Sequence, residues 1–275
     1  IANVEWAGGS DHADTLIAAD RYTNLWGYGG DDVLTGNSNH DDLFGGSGND
    51  TLSGGAGNDT LEGDDGDDVL IGGADDDSLF GGAGQDTYYG GEGLDKVYFS
   101  DAASGIVLDM EAGTVIVDGV TELISSVESA DGSSHDDVMT RSGGFGRMSG
   151  GMGDDILYGS DMDDEARTSN EEQLYGGNGN DTIYARAGDD YIRSDSGDDL
   201  LYGGDGNDRM DGFSGNNSLF GGAGDDTLDG GSGDNWIDGG DGDDLAEISG
   251  DLSDFQITSD GSGLILEEMS GGSIM

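Results

Sequence analysis

The sequence predicts an all-β fold, a right-handed parallel β-roll (β-solenoid) with two tandem arrays and intervening capping strands. Glycine supplies 57 of the 275 residues and returns at a fixed period, which is typical of a repeat architecture rather than of flexible filler. An apolar residue recurs every nine positions, and an aspartate usually stands two positions before it. Between the arrays the sequence is richer in β-branched residues and poorer in glycine, which favours ordinary strands there.

Charge and composition exclude several classes of function. The chain carries 61 acidic against 8 basic residues, with a formal net charge of −53. Such a surface repels nucleic acid, and the longest apolar runs are far shorter than the ~20 residues that cross a bilayer. We therefore expect neither nucleic-acid binding nor membrane insertion. Because the chain has no Cys, disulfides and Cys-ligated zinc are excluded, and hard cations bound by oxygen are the leading partner.

The first array spans residues 9–98. With Gly45–Ser53 as positions 1 to 9, the phase holds in every unit from Gly9 to Tyr98, and position 8 is apolar throughout. Position 6 is aspartate in all units but one, where Thr23 replaces it. These candidate ligands are Asp14, Asp32, Asp41, Asp50, Asp59, Asp68, Asp77, Asp86 and Asp95.

The second array spans residues 132–247, with an irregular insert at 159–175. We expect the acids of the insert to be solvated, with an extra cation site as the alternative. Position 6 departs from the pattern at Gly146, Asn217 and Asn235. The remaining candidate ligands are Asp137, Asp155, Asp181, Asp190, Asp199, Asp208, Asp226 and Asp244.

Three further segments lie outside the arrays. Residues 1–8 are predicted to be a partial capping strand, 99–131 to be capping and linker strands, and 248–275 to be C-terminal capping strands. The pattern Ile1-x-x-Val4-Glu5 returns as Ile124-x-x-Val127-Glu128, each followed at the same distance by an array. This longer duplication indicates a segment of a larger multi-module protein.

The nine-residue spacing also predicts where cations would bind. Two units make one flattened coil of eighteen residues, and stacked coils form two parallel sheets. Neighbouring strands within a sheet lie about 4.8 Å apart, and the position 8 side chains pack between the two sheets. Position 6 carboxylates eighteen residues apart then repel one another by about 3 kcal/mol per pair at an effective dielectric near 20. A Ca²⁺ ion between the turns converts this repulsion into attraction between each carboxylate and the ion, since Ca²⁺ accepts six to eight oxygen ligands in loose geometry.

These units resemble the RTX family, whose nonapeptide is G-G-x-G-x-D-x-U-x. The best matches are Gly45–Ser53, Gly54–Glu62 and Gly221–Asp229. The resemblance implies Ca²⁺ held between turns on the same side by position 6 aspartates and backbone carbonyls. It also implies a bacterial protein exported by a type I system and folded outside the cell by millimolar calcium. Pairing aspartates eighteen apart predicts about 12 ions or more, with a weakened site at Thr23 and weak sites at Asn217 and Asn235.

The chain offers no catalytic motif such as H-E-x-x-H or G-x-S-x-G. We therefore expect a non-enzymatic module of a large secreted or cell-surface protein, acting as spacer, folding and secretion module or assembly unit. Its partners would be calcium, neighbouring modules of the same protein, and cell-surface or matrix components. The alternatives are an accessory module of a secreted protease, lipase or polysaccharide-modifying enzyme, and a subunit of a surface layer or fibre.

Aromatic residues recur at position 9, on the outer face of the predicted sheets. Two interpretations of this ladder stay open, cross-strand stacking that stiffens the sheet and a docking face. The residues are Trp26, Phe44, Phe80, Tyr98, Tyr184, Tyr202 and Phe220.

Overall fold

A computed structural model of the chain describes residues 6–19, 23–141, 146–160, 172–247, 255–259 and 264–268. Within these ranges the chain forms strands, turns and loops without a helix. None of the described residues therefore form a helix that could cross a membrane. The chain divides into two compact units, Ile1–Ser133 and Ser134–Met275.

The first unit consists of two sheets that the chain visits alternately. Strands that follow one another in sequence belong to opposite sheets over both regular stretches. Sheet A of this unit is formed, in spatial order, by β1 (Trp6–Gly8), β3 (Asn24–Gly29), β5 (Asp42–Ser47), β7 (Thr60–Asp65), β9 (Ser78–Ala83), β11 (Lys96–Tyr98) and β15 (Ser129–Asp131). Sheet B is formed by β2 (Thr15–Ile17), β4 (Val33–Thr35), β6 (Thr51–Ala56), β8 (Val69–Ala74), β10 (Thr87–Glu92), β14 (Val120–Ser125), β13 (Thr114–Val117) and β12 (Val107–Asp109).

The second unit follows the same plan. Its sheet A contains β17 (Arg147–Met152), β19 (Glu172–Asn178), β21 (Asp190–Ser196), β23 (Arg209–Asp211), β25 (Thr227–Asp229) and β27 (Leu245–Glu247). Its sheet B contains β16 (Val138–Thr140), β18 (Ile156–Tyr158), β20 (Thr182–Ala187), β22 (Leu200–Asp205), β24 (Ser218–Ala223), β26 (Trp236–Asp241), β29 (Leu264–Glu268) and β28 (Phe255–Ser259).

Strand register confirms the parallel β-roll and its eighteen-residue coil. Leu52 pairs with Leu70 in sheet B of the first unit, and Leu201 pairs with Leu219 in the second. Many of the described strands are six or seven residues long. In β6 the pairing continues through Gly55 and Ala56 into the next unit, so the turns between strands are short.

The position 8 residues form the core of each unit. Leu16 and Ala246, in the end coils, are half-buried, because a full coil does not cover each side of them. All others are at most 6% exposed. In the first unit they are Leu25, Leu34, Leu43, Leu52, Leu61, Leu70, Leu79, Tyr88 and Val97, and in the second Met139, Met148, Leu157, Leu174, Ile183, Ile192, Leu201, Met210, Leu219, Leu228 and Ile237.

The predicted insert at 159–175 is in part a regular coil. Strand β19 pairs in parallel with β17, with Leu174 opposite Met148, and Leu174 is fully buried in the core. The separation from Met148 to Leu174 is twenty-six residues, so one coil is longer than the others. A fixed nine-residue count loses its phase there and misses Leu174. The acids of the insert for which a cation site was the alternative, Asp161, Asp163, Asp164 and Glu165, lie outside the described residues.

Part of the chain beyond the repeats forms antiparallel strands, whereas β1 and β15 pair in parallel with strands of the array. In the first unit β12, β13 and β14 make an antiparallel meander, and β14 joins it to the parallel stack by pairing with β10. In the second unit β28 and β29 pair with each other, and β29 pairs antiparallel with β26. Because an antiparallel strand breaks the coil geometry, the parallel stacking of sheet B in each unit stops at these antiparallel strands.

Aromatic rings at position 9 stack along the outer faces of the sheets. The ring centroids of Trp26 and Phe44 are 4.2 Å apart, and those of Phe80 and Tyr98 are 4.3 Å apart. In the second unit Tyr158, Tyr184, Tyr202 and Phe220 stack in sequence at 4.8–5.3 Å. The stacks support the interpretation of cross-strand stabilisation, worth about 0.5–1.5 kcal/mol per pair.

Replacing a core leucine is expected to destabilise the folded unit. Leu61→Ala removes a side chain that is fully buried and should lower the free energy of unfolding by about 2–5 kcal/mol. Leu123→Ala is the matched control, since that side chain is 55% exposed. Denaturant unfolding in saturating calcium measures both. Equal losses in the two variants would contradict the core assignment.

Candidate metal sites

The position 6 carboxylates stack along both edges of each unit. In the first unit the N–H of Asp50 donates to Oδ1 of Asp68 at 2.7 Å, and the N–H of Asp59 donates to Oδ1 of Asp77 at 2.8 Å. The same bond joins Asp14 to Asp32, Asp32 to Asp50, Asp68 to Asp86, Thr23 to Asp41, Asp41 to Asp59, and Asp77 to Asp95. The structure thus brings together every aspartate pair that the spacing predicts in this unit.

The second unit repeats this arrangement and adds one pair. The predicted neighbours join in the same way, namely Asp137 to Asp155, Asp181 to Asp199, Asp190 to Asp208, Asp208 to Asp226, and Asp226 to Asp244. The N–H of Asp155 also donates to Oδ1 of Asp181 at 2.9 Å. Sequence reasoning missed this pair because the long coil separates the two residues by twenty-six positions instead of eighteen.

The second oxygen of most of these carboxylates accepts no hydrogen bond from the described part of the chain. This oxygen is also buried, so solvent does not replace the missing donor. A buried carboxylate oxygen without a donor is costly unless a cation pairs with it. The residues concerned are Asp32, Asp50, Asp59, Asp68, Asp77, Asp86, Asp95, Asp155, Asp181 and Asp226.

The glycine at position 1 leaves the space beside this oxygen. A Cβ added to Gly45 would collide with Oδ2 of Asp50 and approach the carbonyl oxygen of Gly63, in the next coil, to 2.8 Å. Gly221 stands in the same relation to Asp226 and to the next coil. Carboxylate and carbonyl oxygens therefore converge on a space that the side chain of any other residue would fill. Such a set of oxygen acceptors fits Ca²⁺.

Asn217 provides an internal comparison for these sites. Its Nδ2 donates to the carbonyl oxygens of Gly212, at 2.8 Å, and Gly230, at 3.3 Å. The amide nitrogen thus lies where Oδ2 lies in an aspartate unit, beside the position 1 glycine and the next coil's carbonyl. Where the amide is present, the chain supplies its own donor. Where a carboxylate is present, positive charge has to come from outside the chain.

Two of the predicted ligands already have protein donors. Oδ2 of Asp14 accepts from the N–H and the hydroxyl of Ser10, at 2.7 and 2.8 Å. Oδ2 of Asp41 accepts from the N–H of Asn37 at 2.7 Å. In both cases the repeat departs from glycine at position 2, and the residue that replaces it, Ser10 or Asn37, is the donor.

Burial raises the pKa values of the stacked aspartates. The pKa of Asp59 is raised to about 7, chiefly by burial and in part by the charges of Asp77 and Asp41, although a backbone hydrogen bond lowers it. Burial also raises the pKa of Asp68 to about 7 and that of Asp155 to about 8. Without a cation, the fold therefore favours protonated carboxyls at these positions.

Sequence reasoning missed an outer ladder at position 5. The N–H of Asn49 donates to Oδ1 of Asp31 at 2.9 Å, and the N–H of Asp67 donates to Oδ1 of Asn49 at 3.1 Å. These side chains are exposed and accept hydrogen bonds from N–H groups of the turns. Here the later coil donates to the earlier one, whereas in the position 6 ladder the earlier coil donates to the later one. The recurrence of Asp and Asn at position 5 was the signal that could have revealed it.

Sequence reasoning also missed three glutamates that hold the position 6 register outside the predicted units. Glu122 precedes the residue paired with Thr87, and Glu128 precedes the residue paired with Lys96. Glu172 is itself paired with Asp190. Because the chain reaches these positions through a meander or a long coil, their spacing does not indicate the register.

The described residues contain no cluster of three or more His, Cys, Asp or Glu side chains placed to hold a metal ion. A cation between two turns would therefore have two carboxylates and backbone carbonyls as its ligands. This is a donor set for hard cations such as Ca²⁺ rather than for zinc.

Comparison with known protein families matches the chain to the RTX calcium-binding nonapeptide repeat, over residues 8–43, 26–61, 35–70, 62–97, 175–210 and 211–246. The matches cover more than half of the chain. The chain belongs to the RTX calcium-binding nonapeptide repeat family. Calcium is therefore the ion that these repeats bind. A comparison with curated proteins gave no match.

The RTX matches and the structure agree on the repeats but differ in extent. Residues 98–174 lie outside the matched ranges, yet the turns before β16 and β18 in this stretch have the same stacked aspartates, Asp137 on Asp155. The register of the strands thus extends the RTX arrangement beyond the matched repeats.

Acid should partly replace calcium in stabilising the fold. The folded pKa values of about 7 lie above the ordinary Asp value. Protonation of these carboxyls therefore stabilises the folded state fully below pH ~4, and this stabilisation is lost as the pH rises through about 7. In chelator, circular dichroism should show β structure increasing as the pH falls from 8 to 5. An unchanged or decreasing β signal over that range would show that protonation of the stacked aspartates does not stabilise the fold.

Exchanging amide and carboxylate should move the calcium requirement in opposite directions. Asp50→Asn supplies a donor as Asn217 does, so fewer ions per chain and a lower calcium midpoint of folding are expected. Asn217→Asp removes that donor beside Asp199 and should raise both. Equilibrium dialysis and calcium titration measure the two variants against the unmodified chain. Shifts in the same direction would show that the position 6 oxygens do not decide calcium binding.

Proposed function

We propose that this RTX module folds when Ca²⁺ binds between its stacked turns, and that it then acts as a rigid calcium-loaded module of a large extracellular bacterial protein. The observation that carries this proposal is the row of buried aspartate oxygens that face glycine carbonyls without a hydrogen-bond donor. The position 6 aspartates of both arrays are the proposed ligands, with Asp14 and Asp41 contributing less because protein donors already contact their second oxygen.

The charge of the chain supports a calcium-triggered transition. With a net charge of −53, the chain repels itself, and self-repulsion destabilises a compact state. About 12 bound Ca²⁺ ions would neutralise nearly half of this charge and remove the repulsion between stacked carboxylates. Because a preformed site does not exist in the unfolded chain, the free energy of binding becomes free energy of folding.

This coupling would fix where the protein folds. In a calcium-poor compartment the chain stays extended and soluble, whereas millimolar calcium outside the cell drives it into the β-roll. Export by a type I system, which the family resemblance implies, requires an unfolded substrate of this kind. Once folded, the stacked aromatic rings and the leucine core supply the stiffness of a spacer.

The arrays and the segments outside them have different proposed roles. Residues 9–98 and 132–247 bind calcium, whereas 1–8, 99–131 and 248–275 cap or join the arrays. We assign no catalytic role to the module itself. Neighbouring modules of the same protein and cell-surface or matrix components are its proposed partners.

Calcium-dependent folding is directly measurable by far-UV circular dichroism. The chain should be mostly coil in chelator at pH 8 and should gain β structure cooperatively in millimolar Ca²⁺. Mg²⁺ at the same concentration is the control and should be much less effective, because it demands a tighter octahedron and retains its waters. Equal β content in chelator and in calcium would overturn the proposal.

A further inference from the structure

One edge of the first array is closed by a carboxylate that does not belong to the repeats. The N–H of Asp95, in the last repeat, donates to Oε2 of Glu128 at 2.9 Å. The N–H of Ser129 donates to the carbonyl oxygen of Asp95 at 2.9 Å. Glu128 precedes β15, and thirty-three residues separate it from Asp95.

These two bonds are the ones that join every pair of stacked turns. One step earlier, the N–H of Asp77 donates to Oδ1 of Asp95, and the N–H of Lys96 donates to the carbonyl oxygen of Asp77, both at 2.9 Å. Glu128 therefore stands in the position 6 place relative to Asp95. The chain returns to this register only after completing the antiparallel meander of β12, β13 and β14.

The oxygens of a cation site are present at this step as well. Asp95 is fully buried, and its Oδ2 accepts no hydrogen bond from the described residues. A Cβ added to Gly90 would collide with this oxygen and with the carbonyl oxygen of Ser126. In the preceding turn, Gly72 lies in the same way beside Oδ2 of Asp77 and the carbonyl oxygen of Gly90. The Ser126 carbonyl thus takes the place of the glycine carbonyl of a regular repeat.

The other edge of the array ends differently. Glu122 also holds the position 6 register there, and it is 1% exposed. Its Oε2 accepts a hydrogen bond from the hydroxyl of Tyr88 at 3.0 Å, and this hydroxyl lies against Gly81, where a regular repeat has the next coil's carbonyl. On that edge the Tyr88 hydroxyl therefore occupies the place of the carbonyl oxygen, and the set of acceptors found at the regular turns is incomplete.

We propose that Asp95, Glu128 and the carbonyl oxygen of Ser126 form an additional Ca²⁺ site at the end of the first array. The inference rests on the proposed function, because it extends the calcium ladder by one step beyond the last repeat. An ion there would attach the 99–131 segment to the array, so that calcium fastens the cap as well as the repeats. The longer side chain of glutamate reaches the site from a turn that lacks the repeat sequence.

The test is Glu128→Gln, with Glu111→Gln as the matched control. Both changes remove one negative charge, but Glu111 is exposed and outside the site. The glutamine retains an acceptor for the N–H of Asp95. Native mass spectrometry in saturating calcium counts the ions on each chain. Glu128→Gln should carry one ion fewer than the unmodified chain, and Glu111→Gln should carry the full number.

The outcomes separate this inference from the proposed function. If the unmodified chain binds calcium and Glu128→Gln carries the same number of ions, the terminal site is wrong and the ladder stands. If the unmodified chain binds no calcium, both fail. Should Glu128→Gln not fold, Glu128→Asp decides. Its shortened carboxylate should keep the ion count and weaken the binding of one ion, and unchanged affinity for every ion would overturn the site.

Discussion

The stacking of buried carboxylates one coil apart is the constraint on which the rest of the structure depends. Each position 6 aspartate uses one oxygen to accept the N–H of the preceding coil, which fixes the register of the turns. The other oxygen is turned into a space lined by carbonyl oxygens. Glycine at position 1 keeps that space open, and the eighteen-residue coil repeats it along each edge. The arrangement brings ionised acceptors together without a donor, and a folded state with ionised carboxylates therefore needs a cation.

The hydrophobic core alone is a weak source of stability for such a fold. Each nine-residue unit contributes one fully buried apolar side chain at position 8, such as Leu52 or Leu201. Asn217 shows the alternative solution, in which an amide donor replaces the cation. Most units have aspartate instead, and under the proposed function this makes folding conditional on calcium.

The repeat period was sufficient to predict the fold class, the core ladder and the stacked pairs within each regular stretch. It was insufficient wherever the chain departs from eighteen residues per coil. Leu174 and the pair of Asp155 with Asp181 were missed because that coil has twenty-six residues. Glu128 was missed because a meander carries it back into register. The protein donors to Asp14 and Asp41 depend on side-chain contacts of Ser10 and Asn37, which a count of position 6 residues does not contain.

Anomalous scattering from crystals grown in calcium tests the central claim most directly. The account predicts calcium peaks between stacked turns, beside Oδ2 of residues such as Asp59, Asp68 and Asp77, and no peak beside Nδ2 of Asn217. Peaks confined to exposed acids, such as Asp31 and Asp67 of the outer ladder, would contradict it, as would a folded chain with no calcium between its turns.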